Sequence, residues 1–297
     1  MISLSLIIPT HNRASDLIFA LESVARQTLP HAEWEVVVVD NCSTDSTEEE
    51  VRKFAEAHPD LNIRLVYEGE AGVSHARNRG ISSTTAPFIA FIDDDERVNP
   101  EFLVAYLEFF RTHPQAEVAG GRIIAEYPEG RPAWMSRWVE MPIANPMDYG
   151  AEVCPFPRGK VPGGGNMAFR RDIFAKIEGF DAQLGRVGRE LIGGEENDLF
   201  ERILLSGRTI WYVPNAVMWH IIKPRKLTAD YFRRLARNVG ISQRLRAEIH
   251  HRRVKSRILE LMKWGATLML CLTMSPRKSV WLLRLRKGIS RGLFLGR

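Results

Sequence analysis

Through its first ~110 residues the chain alternates strand-like and helix-like stretches four times, and few architectures accept that order. SLSLIIP (3–9) is a short apolar run stopped by Pro9, and RASDLIFALESVARQT (13–28) places apolar residues at helical spacing. WEVVVVD (34–40) is a Val-rich run bounded by turn residues, the pattern of a strand buried on both faces. STDSTEEEVRKFAEAH follows it with capping residues and first-turn acids, both helix-start signals. NIRLVYE (62–68) and PFIAFID (87–93) read as strands, AGVSHARNRGISST and NPEFLVAYLEFFRTHP as helices. Alternation of this kind predicts an α/β fold, a mostly parallel central sheet flanked by helices. Such sheets bind ligands beyond the C-terminal ends of their strands. Three polar clusters fall at those ends: Thr10-His11-Asn12-Arg13, Asp40-Asn41-Cys42-Ser43 and Asp93-Asp94-Asp95.

Beyond residue 115 the pattern loosens. AEVAGGRIIAEY (116–127) reads as a strand pair or one bent strand, and 128–162, rich in Pro, Trp and Gly, as a long functional loop. GGGNMAFRRDIFAKIEGFD (163–181) reads as a Gly turn, a short strand and a helix. GGEENDLFERILLSG is a turn into a helix, and RTIWYVP and AVMWHI are two short strands. From about 227 the sequence is helical and basic. The expected division is 1–226, in two halves 1–115 and 116–226, followed by a C-terminal helical extension 227–297.

Charge separates these parts. Twelve of the 41 Lys and Arg but one of the 36 acids, Glu260, fall in 251–297, so residues 1–250 carry a net charge of −6. A nucleic-acid enzyme would more often carry its positive charge on the folded body, so no nucleic-acid partner is expected. A tail both basic and apolar points to an anionic membrane surface. The three cysteines, odd in number and far apart, suit a reducing cytosol. The apolar N-terminal stretch is short and lacks a basic flank, so it reads as a strand rather than a signal peptide. The expected location is cytoplasmic, peripheral to the inner face of the cytoplasmic membrane.

The chemistry gathers in two acidic segments. Asp93, Asp94, Asp95 and Glu96 close an apolar strand, and like charges this close need a cation or hydrogen-bond donors to offset them. A hard divalent cation, Mg²⁺ or Mn²⁺, bound with substrate phosphate meets that need; the plainer reading is a capped, solvated loop. Glu195 and Glu196 stand at the start of a helix, either to complement its dipole or as a general base. His220 by itself is more often a packed or surface residue than a ligand. Trp134, Trp138 and Tyr149 in the irregular loop either stack on a sugar ring or pack on their own scaffold. A nucleotidyltransferase would need a basic phosphate-binding loop near the N-terminus, which is not found. A non-catalytic binding or assembly scaffold of the same fold is the alternative, and the intact strand-end acids and the acidic pair argue against it.

Taken in order, LSLIIPTHNR, VVVVDNCSTDST, GVSHARNRGI, FIAFIDDDE, GGGNMAFRR…GFD and GGEENDLFERI resemble glycosyltransferase family 2, over roughly residues 1–225. The resemblance implies the GT-A fold and inverting, metal-dependent transfer from a nucleotide-diphosphate sugar, with UDP the expected nucleotide. The implied acceptor is a saccharide or lipid-linked saccharide. It places Pro9, Thr10 and Arg13 at the nucleotide pocket, Asp40 at the base, and Arg77 and Asn78 on a helix facing the nucleotide. Asp93 and Asp94 would lie with the nucleotide sugar, Asp93 and Asp95 would hold Mn²⁺ or Mg²⁺, and His220 would reach the metal or diphosphate. Gly165 and Asn166 would lie near the donor sugar and acceptor. Where the family usually carries Glu-Asp this chain has Glu195-Glu196, so the base falls on Glu196, with Glu195 the alternative.

The tail carries its own expectation. Residues 227–249 read as a helix packed on the body. SRILELMKWGATLMLCLTM (256–274) is interrupted by Glu260 and Lys263, leaving too short an apolar core for an ordinary span of about 20 residues. KSVWLLRLRKGISRGLFLGR interleaves Trp281, Leu282, Leu283, Leu285 and Ile289 with Arg and Lys, the composition of an interfacial helix. The alternative is that these helices dock on the body or on a partner subunit.

Overall fold

The computed structural model describes residues 2–187 and 192–295, and two compact units can be distinguished within it. The first takes in residues up to 124, 147–183 and 195–220. It opens with strand β1 (Leu4–Thr10), helix α1 (Ala14–Val24), β2 (Trp34–Asn41), α2 (Thr47–Ala57), β3 (Ile63–Glu68), α3 (Val73–Ser82) and β4 (Phe88–Phe91). These four strands are parallel, in the order β3-β2-β1-β4. β1 and β2 are buried along their whole length, which is why they read as continuous apolar runs. The chain moves outward from β1 to β2 and β3, then returns to the other side of β1 as β4. That reversal opens a crevice at the C-terminal ends of β1 and β4, where ligands of such sheets bind.

Side-chain alternation along the strands feeds two cores. Leu4, Leu6, Ile8, Val36 and Val38 pack with Leu17, Leu21 and Phe54 on one face. Ile7, Val37 and Val39 pack with Ala76, Phe91, Leu199 and Phe200 on the other. A side chain at Gly80 of α3 would overlap Ile7, so the glycine lets that helix press onto β1.

Antiparallel strands extend the sheet past β4. After the short β5 (Glu96–Val98) and α4 (Phe102–Thr112) come β6 (Val118–Glu126), α5 (Arg137–Ala144), β7 (Cys154–Pro155), β8 (Met167–Arg170), α6 (Ile173–Lys176), α7 (Glu195–Leu205) and β9 (Ile210–Ile221). Among the described residues the order runs β3-β2-β1-β4-β8-β6-β9-β5, with β7 also against β9. The two segments read as short strands around Pro214 are one strand, β9. On the side of β9 shared by β7 and β5, Pro214 falls between Trp211–Tyr212, which pair with β7, and Met218–His220, which pair with β5. The 116–127 segment is likewise a single strand.

The second unit takes in 125–146, 184–194 and 221–297, so the helical part draws on more of the sequence than the stretch after 226. It contains α5 and three longer helices, α8 (Ala229–Ile249), α9 (Arg253–Thr273) and α10 (Pro276–Leu295). Its core joins Met135, Val139, Phe232 and Leu235 to Leu282, Leu285 and Ile289. Small residues set the crossing of α8 and α10. A side chain at Gly240 would overlap the Ile289 carbonyl, one at Gly292 the Arg237 carbonyl, and one at Gly288 would lie 2.5 Å from Ala236 Cβ. Leu282, Leu285, Ile289 and Leu293 of α10 are therefore buried within this unit, whereas Val280, Phe294 and Leu295 are exposed. No helix among the described residues is long and apolar enough to cross a membrane.

Candidate active site

The loops after β1 and β2 are tied to each other independently of any acid cluster. Asn12 and Cys42 sit at positive φ, 53° and 59°, where few non-glycine residues are found. Asn12 Oδ1 accepts hydrogen bonds from the N–H groups of Thr44 (2.7 Å) and Asp45 (3.2 Å), and the Asn12 N–H donates to Ser43 Oγ (2.9 Å). Asp40, beside Thr10 in the sheet register, is buried and accepts from the Ser43 N–H at 3.0 Å. Strained backbone held this firmly at strand ends is a mark of a functional loop pair. Pro9 and Thr10 complete the floor as the last residues of β1, both buried.

Two arginines answer the acid cluster from opposite sides. Asp94 is the buried member: Thr10 Oγ1 donates to its Oδ2 at 2.8 Å and Arg13 Nη1 to its Oδ1 at 2.8 Å. Arg13 Nη1 also lies 3.3 Å from Asp95 Oδ2. Burial pushes the Asp94 carboxyl up to about 6, although Arg13 pulls the other way. Burial opposes the Arg13 charge, and Asp94 and Asp95 more than offset it, so its pKa is raised. Arg77 of α3 stands on the other side with its side chain 2% exposed. Its Nη1 donates to Glu195 Oε1 at 2.8 Å and its Nη2 to Asp93 Oδ1 at 3.0 Å. Here too burial acts against the charge and is outweighed, by Asp93, Glu195 and Glu196. Arg77 thus joins the end of β4 to the first turn of α7.

A glycine turn brings the two acidic segments together. Glu96 accepts from the Asp93 N–H at 2.9 Å, and its carboxylate occupies the space a side chain at Gly165 would fill. A methyl group at Gly164 would lie 2.6 Å from Arg77 Nη2 and 2.7 Å from Glu196 Oε1. Only an open turn lets α3 and α7 approach it from two sides. Glu195 and Glu196 begin α7, whose positive dipole end favours both carboxylates. They differ in surroundings. Glu195 is buried against Arg77, whereas Glu196 is half-buried beside Gly164.

The remaining candidates divide by what they touch. Asn166 is fully buried: its Nδ2 donates to the carbonyls of Arg122 (2.9 Å) and Ala216 (3.0 Å), and its Oδ1 accepts from Tyr106 Oη. It anchors the turn to β6 and β9. Asn78 brackets Phe180, donating to its carbonyl and accepting from its N–H, both at 2.8 Å. It holds the loop after α6 against α3. His220 pairs with Glu96 in the β5–β9 register, so its side chain lies on the same sheet face one residue from Asp95. Trp134 stacks on Trp281 with ring centroids 4.0 Å apart, and Tyr149 packs edge-on against Phe156 and Tyr212. Trp138 remains exposed, with Arg137 over its ring. Sequence reasoning did not single out Gly164, and it named Asn12 and Glu96 only as members of their polar clusters, with no role of their own. The signal for Glu96 was present, since it is the fourth acid of the run.

The donor set fits a hard divalent cation of modest protein ligation. Asp93 and Asp95 offer carboxylate oxygens at a strand end, and Asp93 is 38% exposed. Among the described residues no group of three or more His, Cys, Asp or Glu forms a ready cage. Two carboxylates suit Mg²⁺ or Mn²⁺, which commonly complete their shell with phosphate and water.

Comparisons with known proteins identify the family and the fold. The family model described as Glycosyl transferase family 2 matches residues 5–178. Glycosyltransferase AglE of Haloferax volcanii is 34% identical over 126 residues, 42% of this chain and 41% of AglE's own length, so the chain spans under half of that relative. Among solved structures, the mannosyltransferase PcManGT from Pyrobaculum calidifontis, in complex with GDP-Man and Mn²⁺, aligns with TM-score 0.63 and 19% identity, covering 99% of this chain and 88% of PcManGT. Residues 1–349 of Staphylococcus aureus TarS, in complex with UDP-GlcNAc, align with TM-score 0.55 and 18% identity, covering 98% of this chain and 82% of TarS 1–349. At these identities the structural likeness speaks for the fold alone.

Proposed function

The chain belongs to glycosyl transferase family 2 and has the GT-A fold, and from that premise we propose that it transfers a sugar from a nucleoside-diphosphate sugar, with UDP the expected nucleotide, to a hydroxyl group of a saccharide or lipid-linked saccharide. The sugar class we infer is a hexose or N-acetylhexosamine, used in building a polysaccharide. The observation that carries this reading is the meeting of Asp93, Arg77, Glu195 and Glu196 around the Gly164 turn, at the strand ends where such sheets bind ligands. The names of AglE, a glycosyltransferase, and of TarS complexed with UDP-GlcNAc support the donor class.

Each residue then has a role set by its surroundings. The strapped loops at Asn12 and Asp40 receive the nucleoside, with Arg13 beside the phosphates. Asp93 and Asp95 would hold Mn²⁺ or Mg²⁺, with His220, opposite Glu96 in the sheet register, the further candidate. The cation supplies charge that stabilises a leaving nucleoside diphosphate. Glu196 takes the proton of the attacking acceptor hydroxyl. Glu195 is the less suited to that task, because its carboxylate is buried and engaged by Arg77 Nη1 at 2.8 Å. It acts as a positioning residue that fixes the first turn of α7. Attack opposite the leaving diphosphate inverts the anomeric centre.

The test is Glu196→Gln assayed with a panel of nucleotide sugars and Mn²⁺. Transfer is expected to fall about 10²- to 10⁴-fold, the range of general-base contributions, with donor binding unchanged. An active Glu196→Gln enzyme, or wild type that neither binds nor consumes any nucleotide sugar, overturns the reading.

A further inference from the structure

Helix α9 is amphipathic in the wrong sense for water. Its buried residues are Glu260 and Thr267. Glu260 accepts from Arg286 Nη1 at 2.8 Å and from Ser290 Oγ at 2.7 Å, and Trp264 Nε1 donates to Ser290 Oγ at 2.8 Å. The polar side of α9 therefore faces α10. Val254, Ile258, Leu261, Met262, Leu268, Met269 and Leu272 recur at the three- and four-residue spacing of one helix face, and all are exposed, Leu272 by 87%. A water-facing helix normally turns its apolar stripe inward; here 21 residues do the reverse.

The charges around this face identify what covers it. Arg253, Lys255, Arg257 and Lys263 are exposed on the same helix. Its one acid, Glu260, is 1% exposed and paired with Arg286, so it projects little negative field outward. At the N-terminal end of α9 a cleft of about 240 Å³ is lined by Arg244, Arg253, Arg257, Leu293 and Phe294, with Ala247 and one acid, Glu248. Arginines beside apolar side chains suit a phosphate headgroup with the start of an acyl chain. A second copy of the chain would set the same basic rim against itself. The composition on α9 is that of a helix lying in a lipid interface, and no described helix is fit to cross the bilayer.

We propose that α9 rests in the plane of an anionic phospholipid surface, its outward apolar face among the acyl chains and its lysines and arginines at the headgroups. α10 instead turns Leu282, Leu285 and Ile289 into the core of its own unit and borders the cleft with Leu293 and Phe294 at its end. The cytoplasmic leaflet of a cell membrane is the surface of this charge. The inference stands independently of the sugar-transfer reading.

The test is co-sedimentation of the full chain with vesicles of phosphatidylcholine alone or mixed with phosphatidylglycerol. Wild type is expected to partition at least about tenfold better onto the mixed vesicles. Leu268→Glu/Leu272→Glu should lose at least about tenfold, and Lys255→Glu/Arg257→Glu, at the two residues that flank the apolar face, about fivefold for each charge. Leu205→Glu, at an exposed leucine of α7, should bind as wild type does. Unchanged far-UV circular dichroism and melting show that the variants fold. Wild type staying in the supernatant, or equal partition of wild type and Leu268→Glu/Leu272→Glu, overturns the proposal. So does a wild-type dimer in light scattering that the leucine variant splits while neither protein binds vesicles.

Discussion

Replacing Arg77 by Met keeps an unbranched, largely apolar stem but removes the guanidinium group and its charge, leaving Asp93 and Glu195 without their shared cation. The structure sets the size of the effect. Two charge-assisted hydrogen bonds are lost, at 2.8 Å to Glu195 and 3.0 Å to Asp93. The two halves are unequal, because Asp93 is 38% exposed and water partly replaces the guanidinium, whereas Glu195 is 5% exposed. Removing one partner of a buried pair costs about 3–5 kcal/mol, and screening of the Asp93 half places Arg77→Met near the lower end, about 3 kcal/mol. Urea unfolding measures this as a lower midpoint with an unchanged slope. The paired variant Arg77→Met/Glu195→Gln should recover much of the loss, giving a coupling of about 2 kcal/mol in the double-mutant cycle. Transfer should drop more than stability alone implies, since displacement of the first turn of α7 by about 1 Å can cost about 10²-fold in rate. A stability loss below about 1 kcal/mol, or additive single and double variants, refutes the argument that Arg77 is the buried link between β4 and α7.

Three further outcomes are expected. Asp95→Asn should abolish Mn²⁺-dependent thermal stabilisation by nucleotide sugar while leaving the ligand-free melting temperature within a few degrees, because ligand that binds only the folded state must raise apparent stability; unaltered metal dependence counts against the strand-end acids as ligands. Glu35 is buried under the sheet and accepts from Ser5 (2.6 Å), Thr84 (2.9 Å) and Arg64 (2.8 Å). Burial alone would raise its carboxyl, but hydrogen bonds from Ser5, Arg64 and Thr84 outweigh that and hold it below the usual range. A depressed carboxylate contributes stability that is present above its unfolded pKa and lost as pH falls through the folded value. Glu35→Gln should therefore cost about 1–2 kcal/mol at neutral pH, and the gap from wild type should close as unfolding is measured at progressively more acidic pH. Gly240→Ala should destabilise by about 1–3 kcal/mol, because the new methyl meets the Ile289 carbonyl. Gly265→Ala, with open space around it on α9, should be neutral or stabilise by up to about 1 kcal/mol by helix propensity, and equal effects at the two glycines would show that the crossing of α8 and α10 is not set by small residues.

The parallel half of the sheet was legible because its information is local. The Val run of β2 and the apolar runs of β1 and β4 announce strands buried on both faces, and their order with α1, α2 and α3 leaves few ways to pair them. The acids at Asp93–Glu96 and Glu195–Glu196 were visible for the same reason: charge ending an apolar strand or opening a helix is read within a few residues. What local pattern could not supply was partnership. Arg77 and Glu195 are 118 residues apart in sequence and 2.8 Å apart in the fold, so the role of Arg77 as an internal clamp exists only once α3 and α7 meet at the Gly164 turn. Asn166 and Asn78, read as ligand-facing, spend their amides on carbonyl and N–H groups that come from distant strands and loops. The C-terminal helices make the same point in reverse. Composition alone marked the α10 segment as the interfacial helix and α9 as an interrupted apolar run, and packing assigned them otherwise: small residues let α10 bury Leu282 and Leu285 in its own unit, while α9 turned Glu260 inward and Leu261, Leu268 and Leu272 out. Periodicity fixes which residues share a helix face; which face is buried depends on the surface it meets, and that surface is made only when the chain has folded.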